Sequence, residues 1–347
     1  MHYGSAPGET SFVVALEDDA GITGYGEVAM LDGRYSEAFP DGVPAGTGFL
    51  APALLGLDAT DPQVIAAAMD DVLRGQAYIK TAIDIAAWDA AGKARGVPLC
   101  ALTGGAGADA VPLYDVVTAG GTDDAAAELA DELLAAGYRR LQVKVGGDPV
   151  ADATRLRRVH DHVPPGTVLF ADANGGFDVE RARVFLSATA DLGYTLEQPC
   201  ATLEECAALR DDSPHPLVLD ESITTAEDLR RAVREARADG VTIKLGRVGG
   251  ITPARAIRDE AVALGLTVTI EAIGGASIGT AAFVHLGIGV PAPLRCHTVD
   301  FQRWWTVDNG RGLPAAIDGA QAPPTGPGLG IDVDESALGE PVLDVRR

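Results

Sequence analysis

Six short apolar segments of this chain each end on an ionisable residue, and the endings keep step: Lys144, Asp172, Glu197, Asp220, Lys244 and Glu271 stand 23 to 28 residues apart. A strand, a helix of about three turns and two short connections take up that length. A single charged residue at a strand end reads as the start of a loop. Six in phase read as one side of a repeating βα architecture, in which parallel strands present their C-terminal ends together and a closed barrel converges them on one mouth. Eight strand-like segments carry the pattern: "VPLYDVV", "LQVKVG", "VLFADAN", "YTLEQP", "PLVLDES", "VTIKLG", "LTVTIEA" and "PLRCHTV". Between them lie stretches rich in Ala, Leu, Arg and Glu at helical period, at 123–136, 150–162, 178–190, 226–238 and 252–264. The expected fold class is α/β, a (β/α)8-type barrel; an open doubly wound sheet is the alternative that periodicity alone leaves standing.

The flanks differ from this texture. "TSFVVAL" and "ITGYGEV" surround the turn signal "DDAG" and read as a β-hairpin. From Asp61 to Arg95 the chain is Ala-rich and helical, with Pro62 suited to a first turn and Gly96 and Pro98 to a stop. These divisions give an α+β capping domain over 1–107, a barrel over 108–300 and an irregular, proline-rich segment over 301–347 that returns to the cap.

Charge restricts the partners. Fifty acidic against 27 basic residues give a net charge of -23, with no basic cluster to neutralise a phosphate backbone, so nucleic acid is not expected. No apolar run approaches the roughly 18 to 20 residues that span a bilayer, so no membrane is expected either. "MHYGSAPGET" lacks the features of a secretory signal, and a cytoplasmic location is the expectation. The four cysteines have neither metal-finger spacing nor a CxxC pair, which points to reduced thiols. In so acidic a protein an anionic substrate requires a local cation. Asp172, Glu197 and Asp220, brought together on adjacent strands, would repel one another without one. Hard oxygen donors suit Mg2+, with Mn2+ as the alternative; Zn2+ fits less well where no His or Cys accompanies them. Asn174, two residues beyond Asp172, returns to the same side and can support it from behind.

"ADANGG", "LEQP", "LDES", the lysine of "QVKVGG" and "IKLGRVGG", together with "GYGE", "YIKTAIDIAAWDAAGKARGVPL" and "GPGLGIDVD", resemble the motifs of the enolase superfamily, in its muconate lactonizing branch. The resemblance spans nearly the whole chain. It implies that Asp172, Glu197 and Asp220 bind the metal and that Lys144 and Lys244 are acid/base lysines on opposite faces of the substrate. The implied reaction removes the α-proton of a carboxylate through a metal-stabilised enediolate. It also implies a homo-oligomer, a substrate contact from Glu271, and supporting positions behind the ligands for Gln142 and Glu221. No His stands at the Glu271 position, so the His-Asp pair of the mandelate racemase branch is not expected. His285 reads as structural; His297 is open.

A finer similarity, in "LQVKVGGD", "EQPC" and "VDF", is to members acting on proline derivatives, including cis-3-hydroxy-L-proline dehydratases and hydroxyproline betaine epimerases. It implies a small amino-acid substrate, with Asp300 pairing its ammonium group and Trp304 or Trp305 offering an aromatic face. The structural alternatives are a loop cap for Asp300 and interdomain packing for the tryptophans. Rival functions are a muconate-type cycloisomerase, another amino-acid racemase, or a noncatalytic ligand-binding homologue. The chain departs from the family pattern at Gln142, where many members carry Lys, at Thr242, where many carry Asn, and in an expected absence of the strand and loop ahead of "TSFVVAL". "GGASIG" is a partial dinucleotide fingerprint in the wrong place. "RVGG" offers a phosphate a helix end, or simply shortens a loop.

Overall fold

The structure is a computed structural model that describes residues 10–30, 39–105, 109–118 and 123–346. The hairpin forms as the alternation requires, β1 (Thr10–Glu17) pairing antiparallel with β2 (Thr23–Met30). Three helices follow: α1 (Gly42–Leu54), α2 (Pro62–Val72) and α3 (Ala77–Arg95). Asp61 caps α2 by accepting from the N–H groups of Gln63 and Val64, and Gly96 closes α3 in the left-handed region at φ 66°. Helix α3 is buried continuously from Tyr78 to Gly92, because it lies between β2 and the barrel helices. The glycines of "GYGE" allow this contact: a Cβ on Gly24 or Gly26 would meet the α3 backbone at Ala86 or Ala82. Helix α1, rich in Gly and Pro, carries little helical signal of its own; Leu50 and Leu54 hold it by packing with Ile65, Met69 and Ile83. The segment ahead of β1, to which the expected missing strand and loop belong, lies outside the described residues.

The barrel strands are β3 (Val111–Val117), β4 (Arg140–Lys144), β5 (Val168–Asp172), β6 (Thr195–Glu197), β7 (Leu217–Leu219), β8 (Gly240–Lys244), β9 (Thr267–Glu271) and β10 (Thr298–Val299), hydrogen-bonded in the order β10-β3-β4-β5-β6-β7-β8-β9. The ring closes between β9 and the segment leading into β10. The Val268 amide donates to the Leu294 carbonyl at 2.8 Å, and the Cys296 amide donates to that of Val268 at 2.9 Å. Closure removes the doubly wound alternative. The C-terminal segment runs beside the α3 end of the hairpin unit, with the Leu99 amide on the Gly328 carbonyl at 2.7 Å and the Leu329 amide on Asp89 at 2.7 Å. Among the described residues no helix is long and apolar enough to cross a membrane.

Cap carboxylates fasten the two units by occupying the unpaired N–H groups at helix starts. Glu27 of β2 accepts from the amides of Ala276 and Gly279, at the head of the helix Ser277–Ile288. Asp84 of α3 accepts from the Thr252 amide at 2.9 Å, at the head of the helix Ile251–Ala263. "RVGG" therefore serves that approach, since Gly250 sits at φ 113° and a Cβ there would fall 2.4 Å from the Asp84 carboxylate. Burial pushes the Asp84 carboxyl up to about 7, against the Thr252 and Ile251 hydrogen bonds that pull it down. Its folded value lies above the ordinary 3.8, so its contribution to stability is fully present below pH 3.8 and lost as pH rises through about 7. Asp84→Asn is expected to remove that loss. Urea unfolding of both proteins at pH 5 and pH 8 should show the smaller decline in the variant.

Candidate active site

Strand register brings the ionisable endings level. Lys144 is the Cα partner of Asp172, Asp172 of Glu197, and Lys244 of Glu271. Glu197 pairs with Val218, and Asp220, two residues further on, shares that residue's face. The four carboxylates are withdrawn from solvent, from 1% exposed at Asp220 to 3% at Glu197 and Glu271.

One continuous network joins them. The Lys144 amine pairs with Asp172 and donates to the Asn174 carbonyl oxygen at 3.1 Å, while the Asn174 amide donates to Glu221 at 3.0 Å. Asn174 turns back into this position with φ 44°. The Lys244 amine donates to Asp220 at 2.7 Å and lies 3.3 Å from Glu271; Arg247 pairs with the other Asp220 oxygen, and the Tyr114 hydroxyl donates to Glu271 at 2.9 Å. Both Glu197 oxygens are used, by the Gln142 amide at 2.9 Å and the Thr242 hydroxyl at 2.8 Å.

The electrostatics follow from burial and crowding. Burial, then the charges of Asp172, Asp220 and Glu271, pushes the Glu197 carboxyl well above the usual range. Burial and Asp220 raise Glu221 to about 7. Burial also pushes at Asp220, but the Arg247 and Lys244 charges outweigh it and hold that carboxyl below its ordinary value. Among the described residues no three acidic, His or Cys side chains converge closely enough to grip an ion as they stand. Asp172 and Asp220 are drawn instead onto their basic neighbours. The network holds Asp172, Glu197, Asp220, Glu221 and Glu271 against Lys144, Lys244 and Arg247, five carboxyls to three cations.

An open cleft of about 2220 Å³ lies over this floor. Tyr114, Gln142, Lys144, Lys244 and Glu271 line its base, and β1 with the C-terminal segment forms its far wall.

Sequence comparison places the architecture. Residues 1–104 match the mandelate racemase/muconate lactonizing enzyme N-terminal domain, and residues 125–337 match the enolase C-terminal domain-like family. This chain belongs to the enolase superfamily. It is 38% identical to a cis-3-hydroxy-L-proline dehydratase from Roseibium aggregatum over 96% of the chain and 90% of that enzyme. It is 29% identical to an N-succinyl-L-Arg/Lys racemase from Bacillus cereus, over 82% of the chain and 78% of the racemase. The fold matches the crystal structure of an enolase-superfamily member from Roseovarius nubinhibens ISM complexed with magnesium, with a TM-score of 0.93 and 35% identity, covering 96% of the chain and 91% of that structure.

In this superfamily enzyme not every sequence expectation meets at the floor. Asp300 is 4% exposed and does not line the cleft; it accepts from the Tyr138 hydroxyl at 2.5 Å and the Gln302 amide at 3.0 Å, the loop-cap arrangement. Trp304 and Trp305 both line it, Trp304 52% exposed and Trp305 packed in part against the core. His285 is structural: it accepts from the Cys100 amide at 3.3 Å, and its other ring nitrogen lies 3.1 Å from the Leu329 carbonyl. His297 is wedged 4.4 Å from the rings of both Tyr114 and Phe170, and burial depresses its pKa well below the usual value. The four cysteines are free thiols.

Sequence reasoning missed three participants. Arg247 sat unremarked in "IKLGRVGG", three residues past Lys244. Tyr114 lay on a strand whose phase with the other seven was not followed. Gln198, in "EQP", accepts from the amides of Asp220 and Ser222 and donates to the Ser222 hydroxyl, tying β6 to the loop that carries Asp220. Its φ of 31° is the strained signature of that role, visible in three dimensions alone.

Proposed function

We propose that this enzyme removes the α-proton of a small amino-acid carboxylate, and that its reaction is the dehydration of cis-3-hydroxy-L-proline or the epimerisation of a related proline-type acid. The observation that carries the reading is the placement of the two amines. Lys144 ends β4 and Lys244 ends β8, strands four apart whichever way the ring is counted, and both amines line one cleft. A substrate lying across the mouth thus meets an amine on each face.

The stereochemistry of the substrate fits this geometry. In cis-3-hydroxy-L-proline the hydroxyl is on the carboxylate face of the ring, so the α-hydrogen points to the opposite face. One amine takes that proton; the other delivers a proton to the departing hydroxyl from the far side. Water leaves, and the enamine product tautomerises to a cyclic imine. For epimerisation the second amine returns a proton to C2 instead. In the trans-3 isomer hydrogen and hydroxyl share a face, so the pair is mismatched. A muconate-type dianion would set its second carboxylate against Glu271.

The donor set fits a divalent cation: Asp172, Glu197 and Asp220 supply hard oxygens from three consecutive strands, and a bound cation would relieve the crowding of carboxyls that pushes Glu197 upward. Those three residues would hold Mg2+, which when bound offsets the negative charge developing on the substrate carboxylate. The backbone amide of Asn174 holds Asp172, and Gln142 and Thr242 hold Glu197. The test is incubation of proline-type amino acids and betaines in D2O with Mg2+, followed by proton NMR. Loss of the α-proton signal or of water from the cis-3-hydroxy substrate is expected, with the trans-3 isomer at least about tenfold slower. Absence of exchange with every carboxylate tried would return the chain to the noncatalytic reading.

A further inference from the structure

The turn after β10 divides its side chains between two sides of the barrel wall. Val299, Phe301, Trp304 and Trp305 line the cleft, whereas Asp300, Gln302 and Arg303 do not. Each of those three is tied down away from it. The Tyr138 hydroxyl donates to Asp300, the Gln302 amide donates to the Gln321 side-chain oxygen at 2.6 Å, and the Arg303 guanidinium pairs with Asp115 and lies over the Tyr138 ring, 5.5 Å from its centre. Asp115 belongs to β3, where its neighbours Tyr114 and Val116 line the cleft, so by the alternation of a strand it points to the other side. Its side chain is 5% exposed, which makes the pair with Arg303 a desolvated one that is costly to break. The next residue after Arg303 is the half-exposed Trp304. An indole at the end of so firmly held a turn is in place before a ligand arrives, and a contact ordered in advance loses less entropy on binding.

We infer that Arg303 is a positioning residue for the substrate site: by clamping on Asp115 behind the barrel wall it fixes the turn that presents Trp304 and Trp305 to the cleft, and so sets how tightly a substrate is held without touching it. The inference rests on the amino-acid reading above and deepens it, by assigning part of substrate affinity to a contact outside the cleft. It also gives Asp300 a part, since its bond to Tyr138 anchors the start of the same turn beneath the Arg303 guanidinium. Lys144 and Lys244 end other strands, β4 and β8, so the proton transfers do not pass through the clamp.

The test uses Arg303→Leu combined with Asp115→Asn, which opens the clamp without stranding a buried carboxylate, and Arg303→Lys, which keeps the ion pair. Tyr138→Phe, which frees Asp300 and keeps a ring under Arg303, opens the turn a second way. Fluorescence is read first, with no ligand present, on variants whose circular dichroism matches the wild type. Trp88 is buried on α3 and gives a constant background, so release of Trp305 from the core should move emission to longer wavelength and make it quench more readily with acrylamide. Arg303→Lys should keep the wild-type spectrum. Kinetics with cis-3-hydroxy-L-proline and Mg2+ come second. KM is expected to rise about tenfold in the double variant with kcat within about threefold, and to return in Arg303→Lys. Adding Trp304→Ala to the double variant should leave KM within about threefold of Trp304→Ala alone, because residues that act as a unit are not additive. An unmoved spectrum in both opened variants, a fall in kcat at constant KM, or a clamp and a Trp304 whose effects multiply would overturn the inference. A moved spectrum in a protein whose wild type turns over no proline-type acid removes the proposed reaction and leaves the clamp, whereas turnover with an unmoved spectrum removes the clamp and leaves the reaction.

Discussion

Lys144→Ala and Lys244→Ala are each expected to lower turnover of cis-3-hydroxy-L-proline by about 10²- to 10⁴-fold, the usual contribution of a positioned acid or base. The two losses should differ in kind. The variant lacking the base loses α-proton exchange and water loss together. The variant lacking the acid keeps exchange at C2 in D2O and fails to expel the hydroxyl, so NMR assigns the faces. Folding is a separate matter in the two proteins. Asp220 keeps Arg247 when Lys244 is removed, whereas Asp172, 2% exposed, loses its paired amine when Lys144 is removed. The Lys144 variant should therefore unfold at lower denaturant, and Lys144→Gln, which can still donate, should recover part of the stability but not the chemistry. Wild-type turnover in both alanine variants would remove the lysines from the mechanism.

Chelation of divalent cations is expected to abolish turnover, and Mg2+ to restore it while raising the unfolding midpoint. A ligand at 100 times its Kd stabilises by about 2.7 kcal/mol. The floor explains why the effect should be large: five carboxyls face three basic groups, and Glu197 is pushed well above its ordinary range by burial and by Asp172, Asp220 and Glu271. Its folded value exceeds its unfolded one, so in the metal-free protein Glu197 favours folding at low pH and that contribution is lost as pH rises through the raised value. Glu197→Gln should thus stabilise the metal-free protein at pH 8 and abolish its response to Mg2+, two effects of opposite sign. A thermal melt of wild type and variant, with chelator and with Mg2+, checks both. An equal Mg2+ response in the variant would show that the cation binds elsewhere.

The sequence alone carried the barrel, the paired lysines and the three acidic strand ends, because each is a local pattern. Apolar runs of strand length and helical stretches between them follow from the φ/ψ periods of neighbouring residues, and a charge at the end of each run repeats with the unit. Resemblance then supplied proposed roles for those residues, and the family match shows the superfamily to which the chain belongs. The glycines of "RVGG" were legible as a tight turn; that Asp84, more than 160 residues away, takes the helix end was not.

What only the tertiary structure decided concerns groups whose partners are far along the chain. Asp300 and Glu271 are both carboxylates at strand ends, yet closure of the ring sets one beneath Tyr138 and the other on the cleft floor beside Lys244. Arg247 and Tyr114 joined the site because the loop after β8 and the face of β3 met it in space. The clamp of Arg303 on Asp115 emerged last, since its two residues stand 188 apart and meet through the packing of everything between them, whereas the order of residues names just the two beside each.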